Sequence, residues 1–246
     1  MEVHAHTHTP RKKWTHYLWE FIMLFLAVFC GFLAENMREH MVDHQREKKY
    51  MQSLVEDLAT DTAELRLALI AADTVSKYSD SVLIFMSHYH PSATVPVHFG
   101  TLIANAGRRQ SIINTDRTSS QLKFSGAMRL IRHDEISTRL TKYWNQIAET
   151  NISLDRYMRY RDASRDLVFK LWIVPDIYKR VTGNPVDSLK TMQVLDTDEK
   201  KWGELENLLA LCGSITRGPH IQNLTKQLSM ARELILLIKK DYNLND

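Results

Sequence analysis

An apolar run near the N-terminus constrains the fold of this chain more than any other segment. Residues 21–34 read FIMLFLAVFCGFLA, fourteen positions without a charge, and residues 17–19 extend the run to eighteen positions interrupted only by Glu20. A helix over residues 14–35 would be roughly 30 Å long, which matches the hydrocarbon core of a bilayer. Aromatic and basic residues directly before the run are typical of a membrane interface. The sequence therefore predicts one transmembrane helix over residues 14–35.

Three alternatives to a membrane helix fit the residues of this run less well. A cleaved signal peptide would need a small residue three positions before its cleavage site, whereas Phe32 stands three positions before Glu35. A lipoprotein signal would need a small residue before its cysteine, but Cys30 follows Phe29. A buried helix of a soluble protein would need a large core to cover a surface that is apolar on all sides. We therefore expect an uncleaved membrane anchor.

Basic residues flank the predicted anchor on both sides. Residues 11–13 form a compact Arg-Lys-Lys cluster before it, and four basic residues follow it between positions 38 and 49. The counts nearly balance, but the first cluster is closer to the helix, and long domains cross a membrane largely regardless of their charge. This pattern favours a cytoplasmic N-terminus, with the C-terminal domain on the opposite side of the membrane.

One face of the predicted anchor combines a carboxylate with small residues. At three- and four-residue steps this face carries Glu20, Leu24, Ala27, Gly31 and Ala34. Small residues let membrane helices approach closely, and ionisable groups at membrane depth usually face a partner or water. One hypothesis is a homo-oligomer whose helices enclose a ring of carboxylates along an ion path. The other is that Glu20 lies at the membrane interface and reaches water, and the sequence leaves both open.

The residues after the anchor show helical periodicity and little strand alternation. Residues 36–49 are highly charged and contain neither Gly nor Pro, which indicates a solvated helical stalk. Apolar residues then recur three and four apart from Tyr50 to about Tyr89, where Pro91 should end the helix. Residues 90–114 are mixed in composition and predict a long loop with one short helix.

The second half of the chain predicts one long helix and two shorter ones. The long helix should begin near Asp134, because acidic residues suit a helix N-terminus, and its core-facing seam should include Ile147 and Leu154. Residues 198–211 should form the next helix. Breaks are expected at Pro175, at GNP in 183–185 and at RGP in 217–219, where the last helix should start.

Amphipathic helices joined in this way favour an all-α fold packed as an antiparallel bundle, into which the transmembrane helix continues. The predicted organisation has four parts. They are a flexible basic and His-rich tail at 1–13, the transmembrane helix at 14–35, the charged stalk at 36–49 and the helical bundle domain at 50–246.

Each long seam of the predicted bundle contains one charged residue. Asp61 lies in the first seam and Arg161 in the second. The two side chains could form a polar pair across antiparallel helices and fix their register, or each could lie at the edge of the bundle. The sequence leaves both interpretations open.

Composition and motifs argue against catalysis. The 32 basic and 29 acidic residues nearly balance, which gives no indication of nucleic-acid binding. The sequence has no nucleophile elbow, phosphate-binding loop, dinucleotide-binding glycines or CxxC motif, and two cysteines cannot form a disulfide framework. We therefore expect no enzymatic activity, no catalytic residues and no cofactor.

The histidines indicate metal binding only weakly. His4, His6 and His8 alternate in the N-terminal tail, and His40 and His44 lie four residues apart, a spacing that can chelate a divalent metal. No HExxH motif accompanies them in the sequence. We expect no functional metal site.

Two motifs carry a resemblance to a known family. The first is an apolar run ending in GFLAEN and followed by YMQSLVEDLATDTAEL, with the pattern Tyr50, Leu54, Asp57, Leu58 and Asp61. The second is SSQLKFSGAMRLIRHDEISTRLTKYW, which closes with an aromatic pair. Together they resemble an uncharacterised family of bacterial single-pass inner-membrane proteins. The resemblance implies a protein of the bacterial inner (cytoplasmic) membrane with a helical domain outside the membrane, and it implies no activity. The orientation favoured by the basic flanks would place this domain in the periplasm.

The function that these features favour is that of a membrane-anchored helical interaction or scaffold protein of the bacterial envelope. Its expected partners are the lipid bilayer, further copies of the same chain and another envelope protein. The alternative is an oligomeric ion channel or transport-linked subunit that uses the carboxylate of Glu20.

Overall fold

The computed structural model describes residues 13–172 and 191–244. The chain divides into two compact units, Met1–Lys49 and Tyr50–Asp246. The predictions for His4, His6 and His8, for Pro175 and for the turn at 183–185 lie outside the described residues.

Helices dominate the described residues, which confirms the prediction of an all-α fold. The α-helices are α1 Trp14–His88, α2 Val97–Ala106, α3 Arg117–Phe124, α4 Asp134–Leu171, α5 Glu199–Ile215 and α6 Ile221–Asp241. A 3-10 helix covers Ala127–Leu130, and a π-helical turn covers Thr216–His220. The strands are β1 Thr94–Pro96 and β2 Thr191–Gln193.

Local sequence explains where the long helices begin and end. Helix α1 ends at His88, close to Pro91, whose ring cannot continue a helix. Helix α4 begins at Asp134 with two acidic residues in its first turn, which interact favourably with the positive end of the helix dipole. Helix α5 follows Asp198, whose side chain accepts a hydrogen bond from the backbone N–H of Lys200. These three boundaries agree with the sequence-based prediction.

A two-stranded antiparallel sheet was not predicted from the sequence. Strands β1 and β2 pair with Val95 opposite Met192, and both of these side chains are buried in one apolar cluster with Phe99. Each strand has three residues, which is too short for an alternating pattern to be recognised in a sequence.

The predicted helix break at 217–219 was wrong. Helix α5 continues into the π-helical turn, which contains Pro219, and α6 follows directly. Proline has no backbone N–H, and the wider turn accommodates this loss because Ile221 donates its N–H to the carbonyl of Thr216, five residues earlier. Helices α5 and α6 therefore form one continuous helical stretch.

Three helical stretches build the bundle in the Tyr50–Asp246 unit: the part of α1 after residue 50, α4, and α5 with α6. A buried apolar cluster at one end includes Leu58, Leu140 and Ile238. A second cluster at the other end includes Val82, Val168 and Leu205. From the first cluster to the second, residue numbers therefore rise along both α1 and α4, and they fall along α6 and α5. The last stretch is antiparallel to the other two, whereas α1 and α4 are parallel to each other.

The parallel arrangement of α1 and α4 requires a connection that returns along the length of the bundle. Residues 89–133 make this return, and their central part, residues 107–116, has neither helical nor strand structure. We refer to residues 107–116 as the connecting segment. The N–H groups of Gly107 and Arg108 bond to carbonyls near the end of α2, whereas the backbone groups of residues 109–115 have no such helical partners and need others on the bundle or in water.

Candidate functional site

Helix α1 contains the one stretch of the described chain that is long and apolar enough to cross a membrane. None of its most apolar eighteen-residue window is buried, and the side chains of Phe21, Leu24 and Phe32 are 64–68% exposed. Apolar surface of this extent is unfavourable in water and favourable in lipid. By length and composition, the structure therefore contains the candidate membrane helix that the sequence predicts.

Glu20 has a partner on its own helix. The Nε2 atom of His16 lies 3.0 Å from Oε1 of Glu20, one helical turn away, and both side chains are about half exposed at 49% and 51%. The other residues of the predicted packing face, Leu24, Ala27, Gly31 and Ala34, are also exposed. This contact between two polar side chains at the start of the apolar stretch agrees with an interfacial position of Glu20. The carboxylate-ring hypothesis stays a prediction.

Asp61 is a buried carboxylate of the bundle with two hydrogen-bond partners. Its side chain is 2% exposed, and it accepts hydrogen bonds of 2.7 Å from the hydroxyl of Tyr143 and of 2.7 Å from the backbone N–H of Thr115. Burial raises the pKa of Asp61, and these two hydrogen bonds act in the opposite direction. Burial beside the Asp61 carboxylate also raises the pKa of Tyr143. Asp61 thereby links α1, α4 and the connecting segment.

Asp61 and Arg161 do not form the pair that was considered from the sequence. Because α1 and α4 are parallel, Asp61 is level with Tyr143, and Arg161 follows Tyr143 by 18 residues. This separation corresponds to about 27 Å along the helix axis at 1.5 Å per residue. Arg161 instead donates through Nε to the carbonyl of Gly107 at 2.9 Å and through Nη1 to Asp162 at 2.5 Å. The bundle-edge alternative also fails for Asp61, which is buried.

Asp57 provides a second carboxylate contact, one turn before Asp61. It accepts hydrogen bonds from the backbone N–H of Thr118 at 2.9 Å and from Nη2 of Arg117 at 2.8 Å. Thr118 lies in the first turn of α3, whose own N-cap residue, Asp116, makes no capping hydrogen bond. A carboxylate from α1 therefore satisfies a free N–H at the start of α3. The Asp57 and Asp61 positions of the sequence motif both hold the return connection in place.

Side chains from α4 and α6 hold the rest of the connecting segment. The hydroxyl of Tyr157 donates to the carbonyl of Arg108 at 2.6 Å, and Gln227 donates through Nε2 to Oδ1 of Asn114 at 2.7 Å. Burial raises the pKa of Tyr157 to about 12, so its hydroxyl keeps its proton and remains a donor at neutral pH. Tyr157 and Gln227 are both fully buried, so losing either hydrogen bond would leave a costly unpaired polar group.

The core-facing side of α4 is polar over most of its length. The buried positions between its apolar ends are Tyr143, Gln146, Thr150, Ser153, Tyr157 and Ser164, and we refer to them as the polar seam. Ile147 and Leu154, which the sequence predicted as core positions, are only partly buried. Both side chains pack against the edges of apolar clusters, and the sequence-based seam missed the buried Gln146, Thr150 and Ser153 because these residues are polar.

His220 faces the polar seam from the π-helical turn and is 1% exposed. Its Nδ1 atom lies 3.0 Å from Oγ of Ser153, which donates its own proton to the carbonyl of Thr150. Nδ1 therefore carries the proton of the neutral ring, and Nε2 is a buried acceptor without a hydrogen-bond partner in the described residues. Burial lowers the pKa of His220 to about 4.

A contact between Ser and His can activate a nucleophile, but this one is inaccessible. Ser153 is 5% exposed and His220 is 1% exposed, so a substrate cannot reach the hydroxyl in this arrangement. The contact joins α4 to the π-helical turn inside the bundle. It was not predicted from the sequence, because the two residues are 67 positions apart.

Metal binding finds no support in the described residues. They contain no group of three or more His, Cys, Asp or Glu side chains placed to hold a metal ion. His44 contacts Glu47 through Nδ1 at 3.3 Å, on the same helix as His40.

Comparison of the chain with protein-family models, with curated proteins and with solved structures finds no match. The family resemblance noted in the sequence therefore stays a prediction. The function has to be inferred from the chain's own residues.

Proposed function

We propose that the protein is a membrane-anchored helical scaffold of the bacterial envelope, which presents its bundle at the periplasmic face of the cytoplasmic membrane. The observation that carries this proposal is the apolar stretch of α1, whose most apolar window is entirely unburied. A bilayer is the environment in which such a surface is stable, because backbone groups are satisfied within the helix and side chains contact lipid.

Contacts within the bundle support a structural role. The carboxylates of Asp57 and Asp61 bond to the return connection, and the Ser153 hydroxyl is buried against His220. These are the residue types that would perform acid–base or nucleophilic chemistry in an enzyme. Here their bonds fix the positions of helices, which favours a rigid binding surface for a second copy of the chain or for an envelope protein.

Flotation of the full-length protein with membrane vesicles tests the anchor. The decisive variant places two arginines in the apolar stretch, Phe25→Arg with Val28→Arg, and its matched control places them at Leu67 and Ile70 of the same helix. All four side chains are 55–68% exposed. Each central arginine costs about 3 kcal/mol in a membrane helix, so the first variant should no longer float and the control should float like the wild type. Flotation of both variants, or failure of the wild type to float, would contradict the proposal.

Orientation is tested by a cysteine introduced at Ser87, an exposed position on α1. A membrane-impermeant maleimide should label Ser87→Cys in spheroplasts as completely as in lysed cells, if the bundle is periplasmic. Cys212 is buried and does not compete for the reagent, and Cys30 is replaced by alanine in both samples. Labelling that requires lysis would reverse the proposed orientation.

The oligomeric mass of the full-length protein in mild detergent separates the scaffold from the ion-channel alternative. The comparison is between wild type and Glu20→Gln. A scaffold whose Glu20 lies at the interface should give the same mass in both cases. A discrete oligomer that Glu20→Gln disrupts, together with conductance in sealed liposomes, would favour the channel.

A further inference from the structure

A small cavity lies between α2 and the second half of α4. Its volume is about 180 Å³, the space of about six liquid waters, so it can hold a small organic molecule. Its lining residues are Gly100, Ile103, Ala104, Gly107, Arg161, Ser164, Arg165, Val168, Phe169 and Leu209. The walls are mostly apolar, and the charged side chains among them are both arginines.

Arg161 is the first of these cations, and it is largely withdrawn from water. Its side chain is 12% exposed, its Nε bonds to the carbonyl of Gly107, and its Nη1 bonds to Asp162. Asp162 is 59% exposed and is not among the residues that line the cavity. The remaining nitrogen, Nη2, carries neither of these bonds. A guanidinium has five N–H donors, and these two bonds use two of them, so the others can bond to an anion in the cavity.

Arg165 adds a second positive charge one turn further along α4. Its guanidinium lies 5.1 Å from the ring centre of Phe169, which also lines the cavity. Like charges at this helical spacing repel each other, and Asp162 beside Arg161 offsets one of the two positive charges. No carboxylate belongs to the described lining of the cavity. The site therefore combines two adjacent cations with an apolar, partly aromatic wall.

We propose that this cavity binds a small organic carboxylate with an apolar body. The carboxylate lies between Arg161 and Arg165, where a planar guanidinium can donate two parallel hydrogen bonds. The apolar body contacts Ile103, Val168 and Phe169. Because Arg161 also holds the carbonyl of Gly107, a bound carboxylate touches the point at which the connecting segment leaves α2.

Fluorine NMR on the full-length protein in lipid nanodiscs tests the proposal with 4-fluorobenzoate as the probe. We expect saturable binding above the background of empty nanodiscs. The neutral isostere 4-fluorobenzamide should bind at least about tenfold more weakly, because hydrogen bonds to a charged group are the stronger ones.

Two variants locate the binding site. Ala104→Leu fills the cavity and leaves both arginines intact, so it should abolish saturable binding. Arg165→Gln removes an exposed charge together with its contact to Phe169, and it should weaken binding by about tenfold. The matched control is Arg159→Gln, an exposed arginine of α4 outside the cavity, which should bind like the wild type.

Three results would overturn the proposal: no saturable binding of 4-fluorobenzoate, equal binding of the amide, or unchanged binding by both Ala104→Leu and Arg165→Gln. Circular dichroism of each variant identifies a failure to fold. The two substitutions act at independent elements, so at least one of them remains informative.

Discussion

Replacing His220 by glutamine should remove a specific part of the pH dependence of stability. The pKa of His220 falls from 6.5 to about 4 on folding, because its ring is buried and a proton on Nε2 would find no acceptor in the described residues. Since the folded-state pKa lies below the unfolded one, the stabilisation is complete above pH 6.5 and is lost as the pH falls towards 4. If the ring were fully protonated in the unfolded state and neutral in the folded state, the shift would lower the free energy of unfolding by about 3 kcal/mol. At pH 5 the loss is about 2 kcal/mol.

Urea unfolding of the full-length protein in nanodiscs, followed by tryptophan fluorescence, measures this effect. Trp172 and Trp202 are buried in the bundle and report its unfolding. With an m-value of about 2 kcal/mol/M, the wild-type midpoint should fall by about 1 M more than that of His220→Gln between pH 7.5 and pH 5. Wild type and His220→Gln have to be compared, because Asp61 contributes to the pH dependence of stability with the opposite sign to His220. Its raised pKa means that its stabilisation is present at low pH and is lost as the pH rises through that pKa.

Glutamine at position 220 can still hydrogen-bond to Ser153, so the variant keeps a polar partner for the seam. The matched control is His98→Gln, which removes an exposed histidine of α2 and should leave the pH dependence unchanged. Equal midpoint shifts in wild type and His220→Gln would refute the reasoning, because they would mean that His220 is solvated or bonded at Nε2 in the folded protein.

Three further predictions concern the bundle. Tyr143→Phe should destabilise it by roughly 1.5–3 kcal/mol in chemical unfolding, because the buried Asp61 carboxylate loses a donor, and a change below about 0.5 kcal/mol would contradict the contact. In a double-mutant cycle the stability losses of Asp61→Ala and Arg161→Ala should add to within about 0.5 kcal/mol, because the two residues lie far apart. A larger coupling energy would indicate that the two side chains interact. Gly213→Ala should cost about 1–3 kcal/mol because its Cβ would lie 2.9 Å from a side-chain carbon of α1, whereas Gly203→Ala in the same helix, where no atom lies within 4 Å, should be neutral or stabilising. Equal thermal stabilities of these two glycine variants would argue against the close approach.

Prediction from the sequence failed where polar residues occupy buried positions. Periodicity identifies the face of a helix that is apolar, and on α4 this face was assumed to be the core. Gln146, Thr150 and Ser153 are buried as well, because partners from α6, the π-helical turn and the helix's own carbonyls satisfy them. Some of those partners are distant in the sequence, and others are backbone carbonyls that every residue has, so no local sequence pattern indicates them.

The candidate anchor was predictable because its signal is local. The surface of an uncharged run of apolar residues is unfavourable in water, whatever the tertiary structure of the rest of the chain. The same holds for the end of α1 near Pro91 and for the acidic start of α4, since the residues that determine them are adjacent in the chain. Sequence alone therefore determined the long helices, several of their limits and the apolar stretch.

Tertiary structure alone decided the relative direction of the helices, and with it the partners of the buried charges. A pairing of Asp61 with Arg161 was conceivable only if α1 and α4 were antiparallel, and neither seam encodes direction, because an apolar stripe packs equally well against a helix running either way. The return connection makes the two helices parallel, so that Tyr143 lies beside Asp61. Arg161 instead lines the cavity between α2 and α4. Direction depends on how the whole connection packs, a long-range property that no short stretch of sequence contains.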